Sequence, residues 1–490
     1  MSIQEKAIKG VAWTTLDQLG GQIMALLVFL ILARLLDPKA FGLVAICMAF
    51  IAVMEIFQKF GFTHAIVQRN DLEKGHLDTA FWINIGAGLL LFLIGWAGAG
   101  VFAEFYREPL LKPIIRWLSF TFLVHSLCNV QIAILKRDMA FRSLAARSLL
   151  SRFAGGVTGV TLALNGFGVW SLVAQQLVSG SVRVLVLWAV SDWRPGFEVT
   201  KRHFKDLFSF GASLMASQAL YVLSIRMDDF LIGYYLGPTA LGYYTIAFRL
   251  IKMGTALLAG TVQKVSFPLF SRLQNDRNEL QTTYYHATRI TSIVAFPGFF
   301  ALIVLAPEVI PVFFGDKWVD SVPVMQVLSI MGVVTALMGF KVAMLLSQGK
   351  PFWSLVIQAV ETVIMVVGFM IAVSWGIMAV AVARVFAGLV MTPVWFRAVK
   401  KVSGISGVTY LNNFREPFLA SCAMIATIVG VRSSLSTSWA PLVELLIYGS
   451  IGGVVYLGVL HLLAPNLLNE AMVLFKQLKA NKKKIKKAKK

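Results

Sequence analysis

The sequence is divided into apolar stretches about as long as a bilayer is thick. A spanning helix needs roughly 20 predominantly apolar residues. Fourteen such stretches follow one another, near 11–33, 41–60, 80–103, 114–135, 144–164, 167–190, 208–233, 240–263, 287–311, 323–346, 354–374, 376–396, 417–434 and 440–463. Charged residues make up 14% of the chain, against about 25% in a soluble domain, so there is too little polar surface to solvate so much apolar sequence. The chain reads as an all-α polytopic membrane protein of about 14 transmembrane helices. The first stretch runs past twenty residues with no small-residue cleavage site ahead of a soluble domain, so it reads as a retained span and not a cleaved signal peptide. Cys47, Cys128 and Cys422 all fall inside spans, with no spacing that suggests a disulfide or a metal. No metal or cofactor is expected.

Basic residues set the orientation, because cytoplasmic loops carry the excess of Lys and Arg. With the N-terminus inside, most of the 45 Lys and Arg fall on inner segments, and only Arg34, Lys39, Arg107, Lys112, Lys317 and Arg432 lie on outer loops. Both termini are therefore expected in the cytoplasm. The net charge of +21 is mostly this topology signal. The Lys-rich tail KKKIKKAKK suits contact with anionic headgroups of the inner leaflet. The basic residues are spread over loops with no nucleic-acid module, so nucleic acid is not an expected partner.

One loop is written twice. LDPKAFG (36–42) and LGPTALG (236–242) share Leu, Pro, Ala and Gly at an offset of 200. Pro113, Leu118 and Ser119 match Pro323, Leu328 and Ser329 at 210, and GFGVWSLVA (166–174) resembles SWGIMAVAV (374–382) at 208. Spans 1–6 thus correspond in order to spans 7–12. Six spans return the chain to the same side, so the halves have the same orientation and are expected to form two six-helix lobes related by a pseudo-twofold along the membrane normal, as in many transporters. The domain expectation is an N-terminal lobe (1–200), a C-terminal lobe (201–400), two appended helices (401–465) and a cytoplasmic tail (466–490).

The opening EKAIKGVAWTTLDQLGGQIMALLVFLILARLLDPKAFGLVAI, the stretch GFTHAIVQRNDLEKGHLDTAFWINI, DDFLIGYYLGPTALGYYTIAFRL and FGDKWVDSVPVMQVLSIMG resemble the polysaccharide exporter branch of the MOP flippase superfamily, of the colanic acid exporter type. The resemblance covers roughly residues 1–400. It implies a V-shaped bundle of two lobes. It also implies movement of undecaprenyl-diphosphate-linked oligosaccharide across the bacterial inner membrane by alternating access, in company with polysaccharide polymerase and assembly machinery.

Charges inside spans are costly, by at least about 2.5–3.5 kcal/mol on insertion scales, and face a cavity or a partner. The seventh span carries Arg226, Asp228 and Asp229, the eighth Arg249 and Lys252, the tenth Lys341, the eleventh Glu361 and the twelfth Arg384. At about 100° per residue, Arg226 and Asp229 share a helix face and Asp228 points elsewhere. Arg249 and Lys252 also share a face, which is unfavourable unless an anion or water lies between them. Arg226, Arg249, Lys252, Arg384 and Lys341 form the expected cationic substrate site, suited to a diphosphate. Lys341, late in its span, could instead snorkel to the headgroups. Asp229 and Glu361 are the candidate carboxylates for coupling to an H⁺ or Na⁺ gradient. Asp17, Glu55 and Arg183 read as structural pairing, and His125 lies mid-span.

Two other function classes compete. One is a multidrug or lipid II transporter of the same superfamily; an excess of intramembrane cation argues against cationic drugs. The other is a membrane glycosyltransferase or polymerase, which the short loops disfavour. No Walker loop is present, so ATP hydrolysis is not expected.

Overall fold

The computed structural model describes residues 3–58, 62–69, 71–434 and 439–465, with side chains described outside 3–9, 11–12, 64, 209–217 and 257–265. The expected Lys-rich tail (466–490) lies outside the described residues. The described chain is helical, with no strand among the described residues. Its first helices are α1 (Ile3–Leu35), α2 (Pro38–Gln58), α3 (Phe62–Gln68), α4 (Lys74–Phe105), α5 (Leu111–Ser126), α6 (Asn129–Arg137), α7 (Phe141–Leu164) and α8 (Val169–Val190). There follow α9 (Lys201–Tyr235), α10 (Gly237–Arg272), α11 (Arg277–Phe314), α12 (Ser321–Leu337) and α13 (Lys341–Ser347). The last are α14 (Pro351–Ala372), α15 (Ile377–Ser403), α16 (Gly407–Asn412), α17 (Arg415–Ser434) and α18 (Pro441–Leu463). A helix lies over each of the expected apolar stretches. Among the described residues, 11 helices are long and apolar enough to cross a membrane.

The chain packs as two compact units, Met1–Thr245 with Met365–Val380, and Ile246–Ile364 with Ala381–Lys490. In the first, α1 packs on α7, α7 on α8, α4 on α5 and α2 on α9. In the second, α11 is the spine on which α12, α17 and α18 lie. The α17–α18 pair is docked by a dry cluster of Met424, Ile428, Tyr448 and Leu460 against Ile293, Val304 and Leu305 of α11. The Tyr456 hydroxyl donates to the Ile293 carbonyl at 2.7 Å.

The repeated loop has a concrete role within the first unit. Pro38 opens α2, and Pro238 stands in the first turn of α10. A Cβ placed on Gly42 would run into the backbone carbonyl of Pro238, and a Cβ on Gly242 into that of Pro38. The two copies therefore touch each other, reciprocally, through backbone alone. Residue i of one copy meets residue j of the other and j meets i, which is the contact pattern of a twofold axis. The second duplicated feature is also a backbone device. Gly168 and Gly376, equivalent in the two hairpins, have φ of 54° and 94°, a left-handed conformation that only Gly adopts without strain.

The reciprocal contact predicts a sharp contrast among glycines. Gly42→Val or Gly242→Val should each lower folded protein recovered from membranes, since overpacking a tight contact costs about 1–3 kcal/mol. Gly453→Val, where an added Cβ meets nothing within 4 Å, should leave the yield and the chromatographic profile unchanged.

Candidate functional site

In the second unit the cations gather round one aromatic ring. Phe248, Arg249 and Lys252 lie within about one turn of α10, with Phe248 and Lys252 four residues apart on one face. The Arg384 guanidinium, on α15, lies 4.2 Å from the Phe248 ring centroid, and Lys252 Nζ lies 5.7 Å from it. A cation over a ring face is stabilised by the ring quadrupole, so Phe248 lets two like charges share a small space. Arg384 is buried at 8% exposure, whereas Arg249 and Lys252 are exposed. The structure thus brings Arg384 and Lys252 together, with Arg249 on the same helix face as Lys252.

Lys341 and Glu361 form a separate centre in the same unit. The tenth span is broken: α12 ends at Leu337 and α13 starts at Lys341. A Lys in the first turn opposes the helix dipole, and Glu361 offsets this. Its Oε2 lies 3.5 Å from Lys341 Nζ and accepts a 2.7 Å hydrogen bond from Trp395 Nε1–H. Lys341 Nζ also stands 4.3 Å from the Trp395 ring centroid. Lys341 is therefore held between a carboxylate and an indole.

In the first unit, Arg226 Nη1 donates to Asp229 Oδ2 at 2.9 Å, the pair expected from their spacing. Asp228 points away from that pair. Its carboxylate, fully buried, accepts the Tyr244 hydroxyl at 2.9 Å and the Asp229 amide at 3.1 Å. Toward the other end of α9, His203 and the start of α4 form a polar clasp. His203 Nε2 donates to Glu73 Oε2 at 3.1 Å, Arg202 pairs with Glu73 Oε1 at 3.1 Å, and the Glu73 amide donates to His76 Nδ1 at 3.1 Å. The hydrogen bond from His203 holds the Glu73 carboxyl below the usual carboxylate range. Glu73, His76 and His203 have metal-ligand spacing, but His76 Nδ1 already accepts a backbone N–H and Arg202 occupies the carboxylate.

Several residues were not singled out by sequence reasoning. Phe248 and Trp395 are the aromatic partners of the cations. Phe248 could have been found from its i, i+4 relation to Lys252, while Trp395 has no local signal because its partners lie 34 and 54 positions away. Tyr244 is likewise reached only through the α9–α10 turn. Asp17 lies 4.0 Å from Arg152, and Glu55 lies 2.9 Å from His125, so both carboxylates have cationic or titratable partners.

A family model described as "Polysaccharide biosynthesis protein" matches residues 31–323, more than half of the chain. The chain belongs to that family. Members of known name are similar along most of their length. The teichuronic acid biosynthesis protein TuaB of Bacillus subtilis (strain 168) is 27% identical, covering 89% of this chain and 90% of its own. The succinoglycan biosynthesis transport protein ExoT of Rhizobium meliloti (strain 1021) is 28% identical over 86% and 84%. The lipopolysaccharide biosynthesis protein WzxC of Escherichia coli (strain K12) is 24% identical over 86% of each. Among solved structures, the fold is that of the lipid II flippase MurJ in an inward closed conformation (TM-score 0.75, 14% identity, 94% of this chain and 100% of that one). It is also that of an inward-facing MATE family transporter of the MOP superfamily (TM-score 0.65, 17% identity, 81% and 98%).

The Glu73 clasp predicts a pH-dependent contribution to stability in this family member. A carboxyl held low contributes fully above its unfolded value near 4.3 and loses that contribution as pH falls through the lower folded value. Glu73→Gln should therefore lower the thermal midpoint at pH 7, and the gap from the parent protein should close below about pH 4, as read by thermal scans in detergent at both pH values.

Proposed function

We propose that this protein is an exporter that moves undecaprenyl-diphosphate-linked oligosaccharide across the bacterial inner membrane for surface polysaccharide biosynthesis, by alternating access between two six-helix lobes. The observation that carries the reading is the cationic surface of Arg384 and Lys252 around Phe248, with Arg249 beside it, on helices of membrane-spanning length. Cations exposed on such helices do not face lipid at a tolerable cost; they face a cavity. An anionic diphosphate suits that cavity, and Arg384 and Arg249 can engage its oxygens in bidentate fashion. Phe248 offers an apolar plate between the charges. Arg226 and Lys341, each paired with a carboxylate, are auxiliary cations on the path. A path of several moderate contacts releases its cargo more readily than one tight site. The names of TuaB, ExoT and WzxC, each from a surface polysaccharide pathway, support the same cargo class. The protein carries no catalytic chemistry of its own in this reading and is driven by an H⁺ or Na⁺ gradient, with Asp229 and Glu361 as candidate carboxylates. It works beside the polymerase and assembly machinery, and its Lys-rich tail rests on anionic lipid headgroups.

Two measurements test this reading. Arg249→Glu and Arg384→Glu should sharply reduce surface polysaccharide per folded transporter, and Lys at either position should restore part of it. Normal export by both Glu variants would remove the cationic site. Lys341→Ala should instead reduce the amount of folded protein, because it strands Glu361; breaking a buried pair costs about 3 kcal/mol or less where, as here, the pair is partly exposed.

The orientation follows from the charge bias, with both termini in the cytoplasm. A cysteine at the exposed Thr239 should react with an impermeant thiol reagent added to intact cells, and one at the exposed Asn275 only after the cells are opened. The reverse pattern would invert the topology.

A further inference from the structure

The fourth apolar segment, Leu111–Arg137, is interrupted part-way along. α5 ends at Ser126 and α6 begins at Asn129. The last turn before the break carries His125, whose Nδ1 lies 2.9 Å from Oε1 of Glu55 on α2. Neither side chain is sealed: 26% of His125 and 15% of Glu55 is accessible. Side chains of other helices bond to carbonyls at and just before the break. Buried Gln58 Nε2 donates to the Phe122 carbonyl at 2.6 Å, and Trp188 Nε1 donates to the Leu127 carbonyl at 3.0 Å. A broken helix whose backbone is satisfied in this way is how membrane transporters build ion sites. A turn and a half further on, the fully buried Gln131 has neither end of its amide hydrogen-bonded. Leaving such a group dry costs about 1–3 kcal/mol, and a water there would satisfy it.

We propose that Glu55 and His125 form a proton-binding site at this break, loaded and unloaded once per transport cycle. The inference rests on the transporter reading above and names the coupling ion and a third carboxylate, distinct from Asp229 and Glu361, for it. The geometry sets the step. With neutral His125 donating its Nδ1–H to the Glu55 carboxylate, the pair carries one negative charge and His125 Nε2 holds a lone pair. A hydronium ion approaching through water transfers its proton to that lone pair. An Nε2–H bond forms, a water molecule is left behind, and the pair becomes a neutral carboxylate–imidazolium couple. In low dielectric the neutral couple is better tolerated than an isolated charge. Release to water on the other side reverses the step, driven by the proton gradient. Imidazole is the side chain suited to gain and lose a proton under physiological conditions.

The charged groups on the helices packed around the pair leave this step room. α4 has no charged residue between Asp78 and Glu104, and α9 has none between Asp206 and Arg226. α8 contributes Arg183 and α7 contributes Arg147, both within electrostatic reach of Cys128 just beyond the break; Arg152 of α7 is engaged with Asp17 of α1. α2 and α5 add only Lys39, Lys112 and Arg116, all nearer the opposite ends of those helices from the pair.

The test has one arm that needs no substrate. Infrared difference spectra between acid and alkaline buffer are recorded on the purified full chain in lipid nanodiscs. The parent protein should show an imidazole protonation component, on top of that of the other five histidines, that is lost in His125→Gln and perturbed in Glu55→Gln, while Glu55→Asp keeps it. Superimposable spectra from the parent and His125→Gln would overturn the proposal. In cells, surface polysaccharide per folded transporter should fall several-fold in the parent when nigericin collapses the pH difference. Glu55→Gln and His125→Gln should export poorly and not respond to nigericin, and retention of the parent's response by both would also overturn it. Normal polysaccharide in cells lacking the protein would defeat the exporter reading alone, leaving the infrared arm to decide the proton site. Membrane-fraction levels and the Glu55→Asp variant separate loss of folding from loss of the proton.

Discussion

The interior of a bilayer supplies no water, so each charge and each broken backbone hydrogen bond must find its partner in the protein. The polar architecture of this chain follows from that. Where the fourth segment breaks, Trp188 donates to the Leu127 carbonyl and Gln58 to the Phe122 carbonyl just before it. Where the tenth breaks, the Tyr410 hydroxyl donates to the Leu337 carbonyl. Charges obey the same rule. Arg226 has Asp229, Lys341 has Glu361 and Trp395, Glu55 has His125, and Glu308 of α11 has Arg432 of α17. Apart from the Arg226–Asp229 pair, which lies within α9, each of these contacts ties two elements, and its loss would strand a charge or a carbonyl. Such contacts fix register between helices whose greasy surfaces would otherwise slide.

The two breaks also show how one scaffold carries two chemistries. Cys128, within the first interruption, and Met338, which opens the second, are separated by the offset of the Pro113–Pro323 match. At that offset Lys341 corresponds to Gln131, Glu361 to Ser151 and His125 to Thr335. The interruption is common property, while the ionisable residues differ in kind: an imidazole–carboxylate pair in the first half, an ammonium–carboxylate–indole cluster in the second. The cations around Phe248 have no counterpart in the first half either, where Ala49 and Ala52 stand in place of Arg249 and Lys252. The two segments share a break in the backbone and differ in the ionisable residues beside it.

Much of the fold was legible in the sequence because the bilayer reduces it to a one-dimensional signal: length and apolarity. Helices lie over all the expected stretches. The Arg226–Asp229 pair was legible for a related reason, since both ends sit on one helix and the 3.6-residue period decides whether they meet. What was not legible is tertiary. Trp395 against Lys341, Tyr244 against Asp228 and His203 against Glu73 join helices far apart in sequence, and no local pattern announces them. The interruptions at 127–128 and 338–340 were also hidden, because neither contains Pro and each lies inside one apolar stretch of spanning length.

The reciprocal approach of Pro38–Gly42 and Pro238–Gly242 has a consequence for how such a chain can change over generations. Each glycine exists to admit the other copy's carbonyl, so the two heptads are one structural part encoded in two places. A substitution in either is judged by its twin. Charges elsewhere in the chain can change one at a time, yet at this one crossing the two heptads must vary together or not at all.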